Sequence, residues 1–276
     1  VGPIGPAAVK ALADRNKFPV PTLLLGNFGH PDEARSNAYQ FSLSPEDDAT
    51  AVAEQAFNDG HRRAVALYPD TSQGNRIFAA WRHKWQEHGG ILIQSHAYDT
   101  SVSDHSQILR ALFHLDHSDA RRKALQKTLD STAQTKFLAR RRQDIDALFL
   151  LGDNYQIRLI KPQIDFHHAH DLVVYSLNSN YTGTNDPVKD LDLEGIVFGD
   201  MPWVLNHGGS AQALRNRVPQ QQSRRGTVLD RLFALGMDAY GLMHNIGEME
   251  RHPDLSYPGM TGDLTVTTTG RIQRRL

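Results

Sequence analysis

The chain reads as an α/β protein built from two parallel-sheet lobes, and two observations carry that reading. Five short runs, TLLLGN (22–27), RAVALYPD (63–70), DALFLLGD (146–153), LVVYSLNSN (172–180) and GIVFGDMPW (195–203), are apolar along their whole length and stop at polar or glycine-containing corners. Strands that are apolar throughout, instead of alternating, belong to a parallel sheet covered by helices on both faces. Segments with helical periodicity lie between them, the order of a doubly wound fold. With 276 residues the chain exceeds the usual single core.

The elements follow in order. Ser44-Pro45-Glu46-Asp47 is a helix start, with Ser44 as cap, Pro45 at the first position and acids in the first turn. Val52, Ala53, Ala56 and Phe57 then share one face and Gly60 closes the helix. The stretch 74–88 repeats the scheme, with Ile77, Phe78, Trp81 and Trp85 on one side and Gly89-Gly90 as the stop. ILIQSHAYD follows at once as a strand. Ile108 to Leu115 predict a helix, and Ala124, Leu125 and Leu129 a second, more polar one on the surface. Residues 206–226 are glutamine- and arginine-rich and read as a loop with a short helix. The segment 228–246, carrying Leu229, Leu232, Phe233, Gly236, Ala239, Tyr240 and Met243, is the most apolar helix and is expected in the core.

No flexible linker separates these units. The expected division is 1–60 plus 200–252 for one lobe and 61–199 plus 253–276 for the other, with the chain crossing between them more than once through a hinge. Val1-Gly2-Pro3-Ile4 and Arg271–Leu276 both read as cut strands, so the sequence is expected to be a fragment with its targeting segment upstream.

Composition narrows the function. A formal net charge of −1 supplies no field for nucleic acid, and no apolar run approaches the ~20 residues that span a bilayer. The absence of cysteine excludes disulfides, thiolate metal sites and thiol catalysis. GxSxG, Walker and strand-borne GxGxxG motifs are missing too. Asp144 and Asp146 straddle a strand start and are not read as a joint acid–base pair. The HHAH cluster (His167, His168, His170) sits in a polar connection without a zinc pattern and reads as surface histidine. Arg140-Arg141-Arg142 reads as a helix end favoured by the macrodipole. No catalytic residue, metal ligand or cofactor is assigned.

The strand ends remain as the candidate site, because ligands in such folds sit outside the carboxyl ends of the strands. Asn27, Asp70, Asp153, Asn154, Asn178, Ser179, Tyr181 and Asp200 supply donors and acceptors. Phe28, Tyr68, Tyr155 and Trp203 supply stacking surface. The plainer reading is that Asn and Asp end strands as turn and cap residues. For Trp203, a plug at the hinge is preferred over ligand stacking.

Four blocks, RRRQDIDALFL (140–150), IKPQIDFHHAHDLVVYS (160–176), GDMPW (199–203) and LFALGMDAY (232–240), resemble the LppC-type lipoproteins, periplasmic activators of class A penicillin-binding proteins anchored to the outer membrane. The closing GDLTVTTTGRIQRRL resembles that family's last hairpin. The resemblance implies a type I periplasmic-binding-protein fold, here as the carboxy-terminal domain of a longer lipoprotein. It also implies a non-catalytic role in peptidoglycan synthesis, with a class A penicillin-binding protein as partner, peptidoglycan fragments as further ligands, and membrane contact only through an anchor absent from this sequence. The rival expectation is a receptor domain for an amino acid, a sugar or a muropeptide.

Overall fold

A computed structural model describes residues 1–2, 4, 8, 11–12, 18–26, 37–129, 139–183, 186–205, 214, 217 and 228–276. The chain divides into two compact units, one of residues 1–51, 182–184 and 199–276 and one of residues 52–181 and 185–198.

The second unit is built on a five-stranded parallel sheet. Its strands are β3 (Arg63–Pro69), β4 (Ile91–Tyr98), β5 (Ala147–Leu150), β6 (Val173–Ser176) and β7 (Ile196–Phe198), in the order β4-β3-β5-β6-β7. Helices α2 (Ser72–Glu87), α3 (Ser106–Leu112), α4 (Leu115–Leu129) and α5 (Asn154–Phe166) connect them. All four residues of β5 are buried, as its unbroken apolar run requires. Leu148 and Leu150 pack with Ile157, Ile160 and Ile164 of α5. Phe149, pointing the other way, stacks on Trp81 of α2.

The first unit holds a parallel pair, β1 (Thr22–Leu24) and β2 (Ala38–Gln40), and an antiparallel sheet of β8 (Tyr257–Pro258), β9 (Asp263–Val266) and β10 (Ile272–Arg275). Helix α1 (Pro45–Asn58) begins here, and the division between the units falls within it. A short helix α6 (Pro202–Leu205) and the 24-residue α7 (Val228–Arg251) complete the unit. Leu235, Ala239, Leu242, Ile246 and Met249 of α7 pack on Leu23, Tyr39, Phe41, Leu264, Val266 and Ile272.

Several expectations need correction. The tail 253–276 was expected in the second lobe, but it belongs with the first unit, because the β9–β10 hairpin buries Leu264, Val266 and Ile272 against α7. Arg271 and Arg274 of the hairpin pair with Asp47 and Asp48 in the first turn of α1, which fixes it from the other side. Parallel pairing in the first unit is confined, among the described residues, to β1 with β2 and isolated bridges. Helix α7 is only half a core helix: Leu229, Leu232, Phe233 and Tyr240 are exposed. Residues 140–142 are not helical, and Arg141 and Arg142, half-buried, hold ion pairs with Asp171 and Asp144. The expected loop 206–226 lies outside the described residues apart from Leu214 and Arg217.

Candidate functional site

The strand order places a topological switch in the second unit. From β3 the chain moves outward to β4 and then returns to the opposite side of β3 as β5. Connections leaving β3 and β5 therefore diverge at their carboxyl ends, and that is where crevices form in open α/β sheets.

Two helices start at this point. After β3, Thr71 caps α2 by accepting from the Gly74 amide at 2.9 Å. Gly74 is required there, since a Cβ would stand 2.2 Å from the Pro69 carbonyl oxygen. After β5, Asp153 caps α5 with a full capping box: the Gln156 amide donates to Asp153 Oδ1 at 2.8 Å and the Asp153 amide donates to Gln156 Oε1 at 3.0 Å. The plain cap reading thus describes Asp153, and the Asp-x-x-Gln spacing is the signal that marks α5 in the sequence.

Beside the switch, the Tyr98 hydroxyl donates to the Leu151 carbonyl at 2.8 Å. Burial, with Asp153 nearby, pushes the Tyr98 phenol well above the usual tyrosine range. Ser176 donates to the Leu150 carbonyl and Ser179 to the Gly152 carbonyl, both at 2.7 Å. Asn154 donates to the Asn180 carbonyl and accepts from Arg158 Nε at 3.0 Å. Arg158 in turn holds Asp190 at 2.6 Å. Each of these hydroxyls is committed to a backbone carbonyl, so none is set against a base as a nucleophile.

The predicted residues divide accordingly. Tyr68, Asp70, Asp153, Asn154, Tyr155, Asn178, Ser179 and Tyr181 lie at or just beyond the carboxyl ends of β3, β5 and β6. Tyr68 is stacked on Phe78 with centroids 4.0 Å apart, and Tyr181 leans on Phe198 at 5.4 Å. Asp70 and Tyr155 are open to solvent, Tyr155 with 67% of its surface. Asn27 and Phe28 lie outside the described residues. Thr71, Tyr98, Ser176 and Arg158 were not anticipated.

Asp200, expected at the strand-end site, and Trp203, for which packing was preferred over ligand stacking, stand apart from these. Both are buried within the first unit. The Trp203 indole donates to Asp230 Oδ1 at 2.7 Å, its backbone amide donates to the Met260 carbonyl, and its ring tilts against Phe233. Asp200 is paired with Arg231 and accepts from the Met201 amide at 2.8 Å. Through Asp200 and Trp203 the motif GDMPW is anchored on the first turn of α7 within the same unit. Asp146 accepts from the Arg62 and Arg63 amides and Asp144 pairs with Arg142 and Arg63, so both carboxylates hold structure. Among the described residues, no three His, Asp or Glu side chains gather as a metal site.

Solved structures with this fold define its class. The putative branched-chain amino acid ABC transporter protein of Chromobacterium violaceum matches all of this chain and 77% of its own, with a TM-score of 0.72 at 23% identity. The C-domain of LpoA (YraM) from Haemophilus influenzae, described as a regulator of PBP1A, matches 92% of this chain and 69% of its own, with a TM-score of 0.65 at 20% identity. The architecture is that of the type I periplasmic binding proteins. The chain belongs to the LppC putative lipoprotein family, whose model matches residues 1–276. Relatives named penicillin-binding protein activator LpoA include those of Vibrio antiquarius, 27% identical over 281 residues, and Photobacterium profundum, 26% identical over 277. Each match takes in 100% of this chain but only 45% and 44% of the relative, so the chain spans a little under half their length.

Proposed function

We propose that this chain is a non-catalytic domain that binds a class A penicillin-binding protein and raises its cross-linking activity during peptidoglycan synthesis. The observation that carries the reading is the family match along the whole chain, together with relatives named as activators of such proteins. The commitment of Tyr98, Ser176 and Ser179 to backbone carbonyls supports a binding role over a catalytic one. Activation then amounts to differential affinity: the domain must bind the synthase's active conformation more tightly than its resting one. In this reading the work is periplasmic, on a lipoprotein tethered to the outer membrane. No described helix is long and apolar enough to cross a membrane. A pull-down and a cross-linking assay with the cognate synthase test it. Binding with a raised rate is expected, and neither binding nor a rate change would sink it.

A second reading, a receptor for an amino acid, a sugar or a muropeptide, draws on the switch point where α2 and α5 begin after neighbouring strands. Thermal shift against a panel of these compounds tests it. A ligand at 100 times its dissociation constant adds about 2.7 kcal/mol, and flat melting curves count against it.

A further inference from the structure

Helix α5 turns an apolar stripe to solvent. Its inner side, Ile157, Ile160 and Ile164, is buried on the sheet. Tyr155, Leu159, Pro162 and Phe166 fall within about 60° of one another on the opposite side, at 3.6 residues per turn. Tyr155 is 67% exposed and Phe166 77%, and Pro162 is exposed between them. The side of a helix that faces water is ordinarily polar. This one carries no charge and, apart from the Tyr155 hydroxyl, no polar side chain. Steps of four, three and four residues are the spacing of a seam that takes a partner helix. Pro162 adds an acceptor on the same side: having no amide, it leaves the Arg158 carbonyl without its helical donor.

The flanks of the stripe are acidic. Asp153 stands exposed at the start of the helix. Asp165 and Asp190 lie along one side, where they hold Lys161 and Arg158. On the other side Gln163 binds the loop after β4, accepting from the His105 amide at 2.8 Å and donating to the Ser103 carbonyl at 2.9 Å. That loop brings Asp104 alongside, and hydrogen bonds from Ser106 hold its carboxyl below the usual carboxylate range. Lys189, in the turn beside Arg158, is paired with Asp186. Four carboxylates thus border the stripe, and the two bases beside it are already spent on two of them.

We propose that this stripe docks a helix of the partner synthase, apolar on one side and lined with lysine or arginine along its edges. The choice of the synthase rests on the function proposed above, and the choice of basic edges on the acids around the stripe. A second copy of this chain would set the same carboxylates against their own kind, and an anionic membrane surface would be repelled likewise. A 13-residue helix is about 20 Å long and about 10–12 Å wide. The docked pair therefore stays below about 1,200 Å², the range of transient complexes. The seam supplies the contact, and the acids steer the encounter.

Surface plasmon resonance of the 276-residue chain against the cognate class A synthase tests the proposal. Y155E and F166E should each raise the dissociation constant at least ~10-fold, as loss of an aromatic anchor does. L125E puts the same charge on an exposed leucine of α4 and should leave the constant unchanged. D104K, and a rise in salt from ~0.05 to ~0.5 M, should each slow association by removing the steering. Circular dichroism melts check that each variant is folded, and Y155S and F166S carry the test if a charged variant is not. Binding that Y155E and F166E leave at the parent's strength, or that L125E weakens as much, overturns this proposal and leaves the proposed function standing. A parent chain that does not bind the synthase overturns both. Association indifferent to salt and to D104K overturns the basic partner. A mass near twice 30.9 kDa that Y155E and F166E return to the monomer assigns the stripe to a second copy and overturns the proposal as well.

Discussion

Trp81 lies flat on Phe149, with ring centroids 4.7 Å apart and planes 8° from parallel. The stack joins α2 to the centre of the five-stranded sheet, and Trp85 and Phe78 extend it along the helix. Trp81 is buried, yet its indole nitrogen has no hydrogen-bond partner among the described residues, so its contribution is packing. W81A should therefore cost about 3–5 kcal/mol of stability. W81F, which gives up no hydrogen bond, should cost less than half of that. Urea unfolding of the two variants checks it, and equal losses would place the energy in the nitrogen and not in the rings.

Gly152 and Tyr98 share one small space at the switch point. A Cβ on Gly152 would lie 2.6 Å from the Tyr98 hydroxyl oxygen and 3.2 Å from Ile157 Cγ1. G152A should thus destabilise the chain by about 1–3 kcal/mol, the cost of overpacking. Y98F alone loses the bond to Leu151 but frees the space. The double variant G152A/Y98F should be more stable than the sum of the two single losses, since the pair is in contact. Strict additivity in a double-mutant cycle would mean that the Ile157 contact sets the cost.

Much of the second unit was legible because its strands are buried on both faces, and burial of that kind shows as an unbroken apolar run. β3, β5 and β6 could be read for this reason, and α1 from Pro45 and the acids behind it. The failures share a physical cause. Asp200 sits after a strand just as Asp153 does, and nothing local says that Arg231, about 30 residues on, draws it inward. The closing hairpin has no marker for the unit it joins, because that choice is made by Leu264 and Ile272 against α7. Helix α7 looked like core throughout, and periodicity alone cannot tell which of its apolar residues the core covers.

Asp238 is the buried carboxylate that holds the turn before β9. It accepts from the Met260 amide at 2.6 Å on one oxygen, and from the Thr261 amide at 2.7 Å and the Thr261 hydroxyl at 2.6 Å on the other. An asparagine has one acceptor oxygen, so its amide nitrogen would face a donor. D238N should cost about 1–3 kcal/mol, the penalty for leaving a buried donor unmet. T261V removes only the hydroxyl and should cost less. Guanidinium unfolding of both variants checks the order, and a neutral D238N would show that the turn is held by other contacts.

Asp144 gives the chain an acid-sensitive tie. Arg142 grips both of its oxygens, with Nε to Oδ1 at 2.7 Å and Nη2 to Oδ2 at 2.8 Å, and the same arginine reaches Gln94 of β4 at 2.9 Å. The hydrogen bonds from Arg142, with its charge, lower the Asp144 carboxyl to about 2. A pKa below its unfolded value makes the folded state bind its proton less tightly, so this stability is present above about pH 4. It is lost as the pH falls toward 2. Asp144 is 44% exposed, and solvent screening holds the contribution under about 1 kcal/mol. D144N should therefore lower the melting temperature modestly at pH 7, with the gap to the parent chain closing as the pH drops through 4 toward 2. Melting curves across that range check the sign, and a gap that widens in acid would mean that the carboxylate is not held ionised by Arg142.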